Sequence, residues 1–75
     1  MGSEMPLRTP IEQLTPREAA VLDLIMQGAT NKAAGDVLGI SRRTIEFHRA
    51  NIMLKLSARN LADLMRIVYS ERDGQ

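Results

Sequence analysis

The sequence contains no cysteine and only one histidine among its 75 residues. Without cysteine the chain can form neither a disulfide nor a thiolate zinc site, and His48 alone cannot supply a histidine-rich metal site. The usual supports of a small domain are therefore excluded, and its stability has to come from good helices or from association with a partner. We expect no metal and no cofactor.

Long apolar runs are also missing. No segment approaches the ~20 apolar residues that cross a bilayer, and the N-terminus lacks the basic and apolar regions of a secretory signal. We therefore expect a cytoplasmic protein that does not contact a membrane, and the lack of cysteine fits a reducing compartment. Residues 1–4 resemble a tag remnant, and the rest of the segment 1–13, with two prolines, is interpreted as a flexible arm or linker.

The net charge of +1 is unevenly distributed along the chain. Residues 41–59 contain five basic residues and one acidic residue, a local charge of +4 that leaves −3 for the remainder. A basic stripe confined to one helix is the pattern of a phosphate-binding surface. A solvated helix face would have the same composition, so charge alone leaves both interpretations open.

Capping signals predict where the first two helices begin and end. Thr15, followed by Pro16 and Glu18, predicts a capping box at the start of the first helix, which Gly28 ends. Its apolar residues recur at helical spacing: Val21, Leu22, Ile25 and Met26. The second helix spans 31–38 between a Thr30 cap and Gly39. Gly35 lies inside this helix and costs ~1 kcal/mol relative to alanine, so we expect another helix to pass close to it.

The third helix is predicted over 42–56, behind a Ser41 cap. Its buried stripe consists of Ile45, Ile52 and Leu56. Asn60, with Asp63 three residues later, predicts a variant of the capping box at the start of a fourth helix. The last residues of this helix, 71–75, are expected to fray. The sequence thus predicts an all-α, four-helix domain over 14–72, with a tail over 73–75.

The turn between the second and third helices contains only residues 39–41, the length used in helix-turn-helix units. Arg42 and Arg43 follow directly, at the end of the helix where the dipole is positive. Two cations are unfavourable there unless an anion binds, and helix N-termini are ready-made anion sites. The pair therefore favours contact with phosphates.

Three segments then carry a family resemblance: Leu14-Thr-Pro-Arg-Glu-Ala-Ala-Val-Leu, Gly28-Ala-Thr-Asn-Lys, and Leu38-Gly-Ile-Ser-Arg-Arg-Thr-Ile-Glu-Phe-His-Arg-Ala-Asn-Ile-Met-Leu-Lys-Leu. The chain resembles the LuxR/FixJ-type helix-turn-helix domain from about Leu14 to Val68. It most resembles the output domain of FixJ-like two-component response regulators, chiefly through residues 48–53. It departs from the usual pattern at Ala34 and Gly35, where the family commonly has a larger aliphatic residue and an alanine.

The resemblance implies a DNA-binding transcription regulator that acts as a homodimer on two half-sites, often with an N-terminal receiver domain. Its base-facing positions correspond to Glu46, Phe47 and Ala50. Positions at or near the DNA backbone correspond to Asn31, Lys32, Arg43, Thr44, Arg49 and Lys55. Arg42, at the N-terminus of the third helix, and His48, beside its buried stripe, are two further candidates for phosphate contact. The family often dimerises through the fourth helix, where Leu61, Met65 and Ile67 are our candidate contacts.

Other interpretations remain open at this point. His48 could serve packing and hydrogen bonding rather than a phosphate contact, and Phe47 could lie in the core. The fourth helix could simply pack on the first and third. A protein–protein interaction module using the same helices is the alternative function. We expect no enzyme and no small-molecule ligand, because His48 has no accompanying nucleophile and no metal set, catalytic pair or Gly-rich phosphate loop is present.

Overall fold

The computed structural model describes residues 9–73, which form one short 3-10 helix and four α-helices and no strand. The 3-10 helix is Ile11–Gln13, followed by α1 (Pro16–Met26) and α2 (Asn31–Leu38). The last two helices are α3 (Arg42–Lys55) and α4 (Leu61–Asp73). The predicted all-α class and the four α-helices are confirmed.

The ends of α1 follow the sequence signals closely. The Glu18 N–H donates to Thr15 Oγ1 at 3.1 Å, and the Thr15 N–H donates to Glu18 Oε1 at 2.9 Å. These two bonds complete the predicted capping box. At the other end Gly28 adopts a φ of 87°, and the Ala29 N–H returns to the Leu24 carbonyl at 3.0 Å.

Side-chain caps also begin the other three helices. Thr30 accepts from the Ala33 N–H at 3.0 Å, and Asn60 accepts from the Asp63 N–H at 2.8 Å. The Asp63 carboxylate does not return to Asn60, as the predicted capping box required, but accepts from the Arg59 N–H at 3.1 Å. Arg59 and Arg66 also pair with this carboxylate, and the hydrogen bond from Arg66 is the main cause of its lowered pKa.

The core lies where α3 packs against α1 and α2, with α4 covering one side through Leu64 and Val68. The predicted stripe of α3 is confirmed: Ile45 and Ile52 have no exposed surface, and Leu56 is buried. The remaining buried apolar residues are Val21, Leu22, Ile25 and Ala34. Met26 and Met53 pack against this core as gap-filling side chains.

Both ends of the described chain contact the rest of the domain. The described part of the expected arm, residues 9–13, contains the 3-10 helix, and Ile11 packs against the core. The Ile11 N–H donates to Glu71 Oε2 at 3.2 Å, and Arg72 pairs with Asp23 at 3.0 Å. These contacts attach residues 71–73 of α4 to the rest of the domain, and the fraying of the tail stays a prediction. The tag remnant and residues 74–75 lie outside the described residues.

Candidate nucleic-acid interface

The turn between α2 and α3 is built on two glycines. Gly39 adopts a φ of 71°, a left-handed conformation that suits glycine, and its N–H donates to the Gly35 carbonyl. The Ile40 N–H donates to the same carbonyl at 3.0 Å. A Cβ on Gly35 would lie 2.6 Å from the Ile40 carbonyl oxygen, so a larger residue here requires the turn to shift. The expected passing helix is present only at its end: the nearest atom belongs to the turn, and the backbone nitrogen of Arg42, the first residue of α3, follows at 3.5 Å.

The first residues of α3 are fixed by hydroxyl groups. Ser41 Oγ accepts from the Thr44 N–H at 3.0 Å and lies 2.9 Å from Thr44 Oγ1. Thr44 is half-buried, and its hydroxyl forms a hydrogen bond with the capping serine. Together with the glycine turn, this cap sets the direction in which α3 leaves α2.

The outer face of α3 consists of exposed side chains. It includes the three candidate base-reading residues, Glu46, Phe47 and Ala50, and the candidate phosphate contact Arg43. Phe47 keeps 63% of its surface exposed, which excludes the interpretation that it belongs to the core. Glu46 lies 3.5 Å from Arg42 in an exposed pair. Arg43 has no hydrogen-bond or ion-pair partner within residues 9–73.

The candidate phosphate-contacting residues of α2 lie at its N-terminus. Arg49 of α3 donates to Asn31 Oδ1 at 3.3 Å, and this bond places a half-buried guanidinium beside the first turn of α2. Lys32 is exposed and pairs with Asp36 at 3.2 Å, one turn along the helix. The geometry thus brings one cation from each helix of the pair to the side where α2 begins.

His48 is half-buried at the edge of the outer face. Its ring centroid lies 5.9 Å from that of Phe47, with the two planes inclined at 60°. Its imidazole has no hydrogen-bond partner in the described part of the chain. Of the two structural roles considered for His48, packing is present and hydrogen bonding within the domain is not. An edge contact of this kind supports one side of the exposed Phe47 ring.

Lys55 has a partner that the sequence analysis did not anticipate. Its ammonium lies 2.7 Å from Glu18 Oε1, so the carboxylate that caps α1 also receives a cation from the end of α3. The Glu18 side chain is only 6% exposed. The hydrogen bond from Lys55 lowers the Glu18 pKa below its ordinary value, against the opposing effect of burial. Lys55 therefore joins α3 to α1.

The model of a known family, "Bacterial regulatory proteins, luxR family", matches residues 12–68. The matched segment includes the capped start of α1, the glycine turn and the whole outer face of α3. The chain belongs to the luxR family of bacterial regulatory proteins. Its helix-turn-helix is accordingly a DNA-binding domain of the kind found in transcription regulators.

Several curated relatives of this luxR-family chain are response regulators or transcription regulators by name. It is 41% identical to the transcriptional regulatory protein FixJ of Rhizobium meliloti over 64 residues, 85% of this chain and 31% of that protein. It is 41% identical to nodulation protein W of Bradyrhizobium diazoefficiens over 61 residues, 81% of this chain and 27% of that protein. The tetrathionate response regulatory protein TtrR of Salmonella typhimurium is 40% identical over 55 residues, 73% of this chain and 27% of that protein.

The chain therefore spans about a quarter to a third of the length of the curated relatives it matches. None of the solved structures gives a significant match to it. Within residues 9–73 no group of histidine, cysteine, aspartate or glutamate side chains could hold a metal ion. The helices of the same segment are all too short or too polar to traverse a bilayer.

The three candidate dimer contacts of the luxR-family domain have different surroundings on α4. Ile67 is half-buried and packs against the core. Met65 is half-buried, and Leu61 is 42% exposed. Tyr69 is also exposed and follows Leu61 and Met65 at spacings of four residues, so these three form one continuous stripe. The apolar surface left open on α4 is this stripe rather than Ile67.

Leu54, on the outer face of α3, is a further exposed residue that the sequence analysis left out of the site. The signal for it was present, because Leu54 follows Ala50 by four residues on the same helix and therefore lies on the same face. No comparable signal marked the Glu18–Lys55 pair. Those residues are 37 positions apart, and only the packing of α3 on α1 brings them together.

Proposed function

We propose that this domain binds duplex DNA sequence-specifically by placing α3 in the major groove, as part of a transcription regulator. The observation that carries the proposal is the outer face of α3, which is exposed along its length while the opposite face is buried in the core. A major groove about 12 Å wide admits one α-helix. A helix that reads base edges there has to be packed against the rest of the domain by its opposite face.

In this proposal, exposed cations around α3 neutralise phosphates. Arg43 has no competing partner in the described residues, and Arg42 and Lys32 make only exposed pairs that a phosphate can replace. Arg49, held by Asn31, is positioned beside the α2 N-terminus, where helix amides also favour an anion. Thr44 and His48 lie nearer to the core and take secondary places. We propose that Lys55 pairs with Glu18 and does not contact a phosphate.

The salt dependence of binding tests these contacts. Replacing Lys32, Arg43 or Arg49 by alanine should weaken binding to all duplex sequences alike and lower the salt slope by about one unit for each phosphate that is no longer neutralised. Arg66→Ala is the matched control, since Arg66 is an exposed arginine on α4 that pairs with Asp63. Unchanged slopes in all three variants, measured by titration of random duplex DNA, would contradict the assignment.

Base reading falls to Glu46, Phe47 and Ala50 in the same proposal. A carboxylate can accept from cytosine N4, and an apolar side chain can lie against a thymine methyl. Glu46→Ala should therefore relax the preference at one base pair, with a discrimination loss of roughly 1–3 kcal/mol. Selection of binding sites from a random pool measures this, and an identical motif for Glu46→Ala, Phe47→Ala and the parent would refute it.

We further propose that two copies bind a two-fold site through α4. A single module of this size seldom reaches useful specificity alone, and half-site centres one helical turn apart would join two of them. Leu61 and Met65, extended by Tyr69, are the proposed contact, because Ile67 is engaged with the core of its own domain. The copies can pair on DNA without a stable dimer in solution.

Cooperative occupation of a full site tests the dimer. Leu61→Glu and Met65→Glu should leave half-site affinity nearly unchanged and abolish cooperativity between half-sites. Ser70→Glu is the control, since Ser70 is exposed on the opposite side of α4. If cooperativity survives in both stripe variants while their helical circular dichroism is intact, α4 is not the contact.

The regulator as a whole is proposed to be a cytoplasmic response regulator with a receiver domain N-terminal to this one. The names and greater lengths of the curated relatives support this. We expect the natural gene to encode, upstream of residue 5, a receiver domain with a phosphorylatable aspartate. An unrelated upstream domain would contradict this proposal.

Protein binding by the same face is the second candidate, favoured by the exposed apolar residues Phe47 and Leu54. The two functions differ in one measurement. A DNA-binding domain shows affinity for duplex DNA that falls steeply with salt concentration, and a pure interaction module shows none.

A further inference from the structure

Leu54 keeps 76% of its surface exposed, the largest fraction among the large hydrophobic residues of the described chain. It lies near the end of α3, and its neighbour Lys55 turns the other way to reach Glu18. Single exposed leucines are common on protein surfaces, so exposure by itself assigns no contact to Leu54. Its position on α3 is the informative observation.

The position of Leu54 on α3 identifies the surface to which it belongs. Arg43, Phe47, Ala50 and Leu54 are spaced at i, i+4, i+7 and i+11, which places all four within a sector of about 60° on the helix. Leu54 thus continues the face that carries the unpartnered Arg43 and the exposed Phe47. The apolar stripe of α4, made of Leu61, Met65 and Tyr69, is a separate surface on a different helix.

The chemistry of leucine limits what it can contact in duplex DNA. A leucine side chain has neither donor nor acceptor, so it contributes nothing to a phosphate contact or to a hydrogen-bond readout. The apolar group that the major groove displays is the C5-methyl of thymine. Phe47 and Leu54 are seven residues apart, about 10 Å along the helix axis, which corresponds to about three base pairs.

We infer that Leu54 is a second specificity-determining residue, which reads a thymine methyl group about three base pairs from the one contacted by Phe47. This inference rests on the proposed function. It extends the reading surface of α3 from its first two turns to its last, and it predicts a preferred site with two separated thymines whose methyl groups contribute to affinity.

Replacement of single thymines by deoxyuridine tests the inference, because it removes the C5-methyl and nothing else. The parent protein first selects its preferred duplex, and each thymine in that duplex is then replaced in turn. We expect two replacements, about three base pairs apart, that each weaken binding about fourfold, the change expected from one buried methyl group. Leu54→Ala should be insensitive to one of them and Phe47→Ala to the other.

Two controls accompany the measurement. Val37→Ala removes a comparably exposed apolar side chain from α2 and should keep the parent's response at both thymines. Leu54→Met keeps an apolar side chain of similar volume and should keep most of the methyl-dependent affinity. Because Leu54 is exposed, circular dichroism of all variants should match the parent.

The possible failures are distinguishable. If the parent binds no duplex in a salt-dependent way, the proposed function fails and the inference fails with it. If the parent binds but has fewer than two methyl-sensitive thymines, or if Leu54→Ala responds to every replacement as the parent does, only the inference is overturned. A Leu54→Ala variant that loses full-site cooperativity while keeping methyl sensitivity would assign Leu54 to a second copy of the chain instead.

Discussion

On the inner face of α3, Ile45 and Ile52 have no exposed surface, whereas on the outer face Phe47 and Leu54 keep most of theirs. Both faces carry large apolar residues on the same fourteen-residue helix. The difference is that the inner residues find their neighbours within the domain and the outer residues do not. Apolar character alone therefore does not identify the core of so small a domain.

The basic residues of α3 show the same division. Lys55 contacts the buried carboxylate of Glu18, while Arg43 contacts nothing in the described residues. One cation stabilises the packing of α3 on α1, and the other remains available to an external anion. Substitutions on the two faces should therefore differ in the free energy of unfolding that they cost.

Ile52→Ala should have the largest effect. It leaves a cavity between α3 and α1 in a core with few other residues, and we expect a loss of about 2–5 kcal/mol. Leu54→Ala, two residues away on the outer face, should change the free energy of unfolding by less than about 0.5 kcal/mol. Urea unfolding followed by circular dichroism measures both, and equal losses would abolish the distinction between the two faces.

Gly35→Ala should destabilise the domain by about 1–3 kcal/mol, since a Cβ there would lie 2.6 Å from the Ile40 carbonyl oxygen and the turn would have to move. Helix propensity alone predicts the opposite, a gain of about 1 kcal/mol. Asp36→Ala, at the exposed neighbouring position, is the control for α2. A Gly35→Ala variant more stable than the parent would show that the turn yields easily.

Lys55→Met should cost about 1–3 kcal/mol near neutral pH, because it leaves the buried Glu18 carboxylate without its cation. The pKa of Glu18 is lower in the folded protein than its ordinary value of 4.5, so the folded state binds fewer protons. The stabilisation is therefore complete above about pH 4.5 and is lost as the pH falls through the folded pKa.

The difference between Lys55→Met and the parent should consequently shrink in acid. Unfolding at neutral pH and well below pH 4.5 measures it, and the other carboxyl groups, including Asp63, cancel because both proteins contain them. A difference that stays constant over this range would mean that the loss does not come from the charge of Glu18.

Arg43→Ala should have the smallest effect on folding, within about 0.5 kcal/mol of the parent, because the guanidinium has no partner in the described part of the chain. Its salt slope for DNA should nevertheless fall, as argued above. Urea unfolding and DNA titration of the same preparation test both statements. A large loss of stability would place Arg43 with Lys55 among the structural cations.

The local features of this protein were predictable from short stretches of sequence. Each of the four predicted caps is present, because its hydroxyl or amide oxygen accepts from the N–H three residues later: Thr15, Thr30, Ser41 and Asn60. Gly28 and Gly39 end helices for an equally local reason, their tolerance of positive φ. The buried stripe of α3 followed from its helical spacing.

The contacts between residues far apart in the chain depend on how the helices pack. Glu18 meets Lys55 over 37 positions, and Glu71 meets the Ile11 N–H over 60, and no periodicity encodes such pairs. The same reason explains Gly35, whose nearest neighbours are the turn and the first residue of α3, and Ile67, which packs against the core. Local sequence fixes backbone conformation over a few residues, whereas burial and charge pairing depend on how the helices come together.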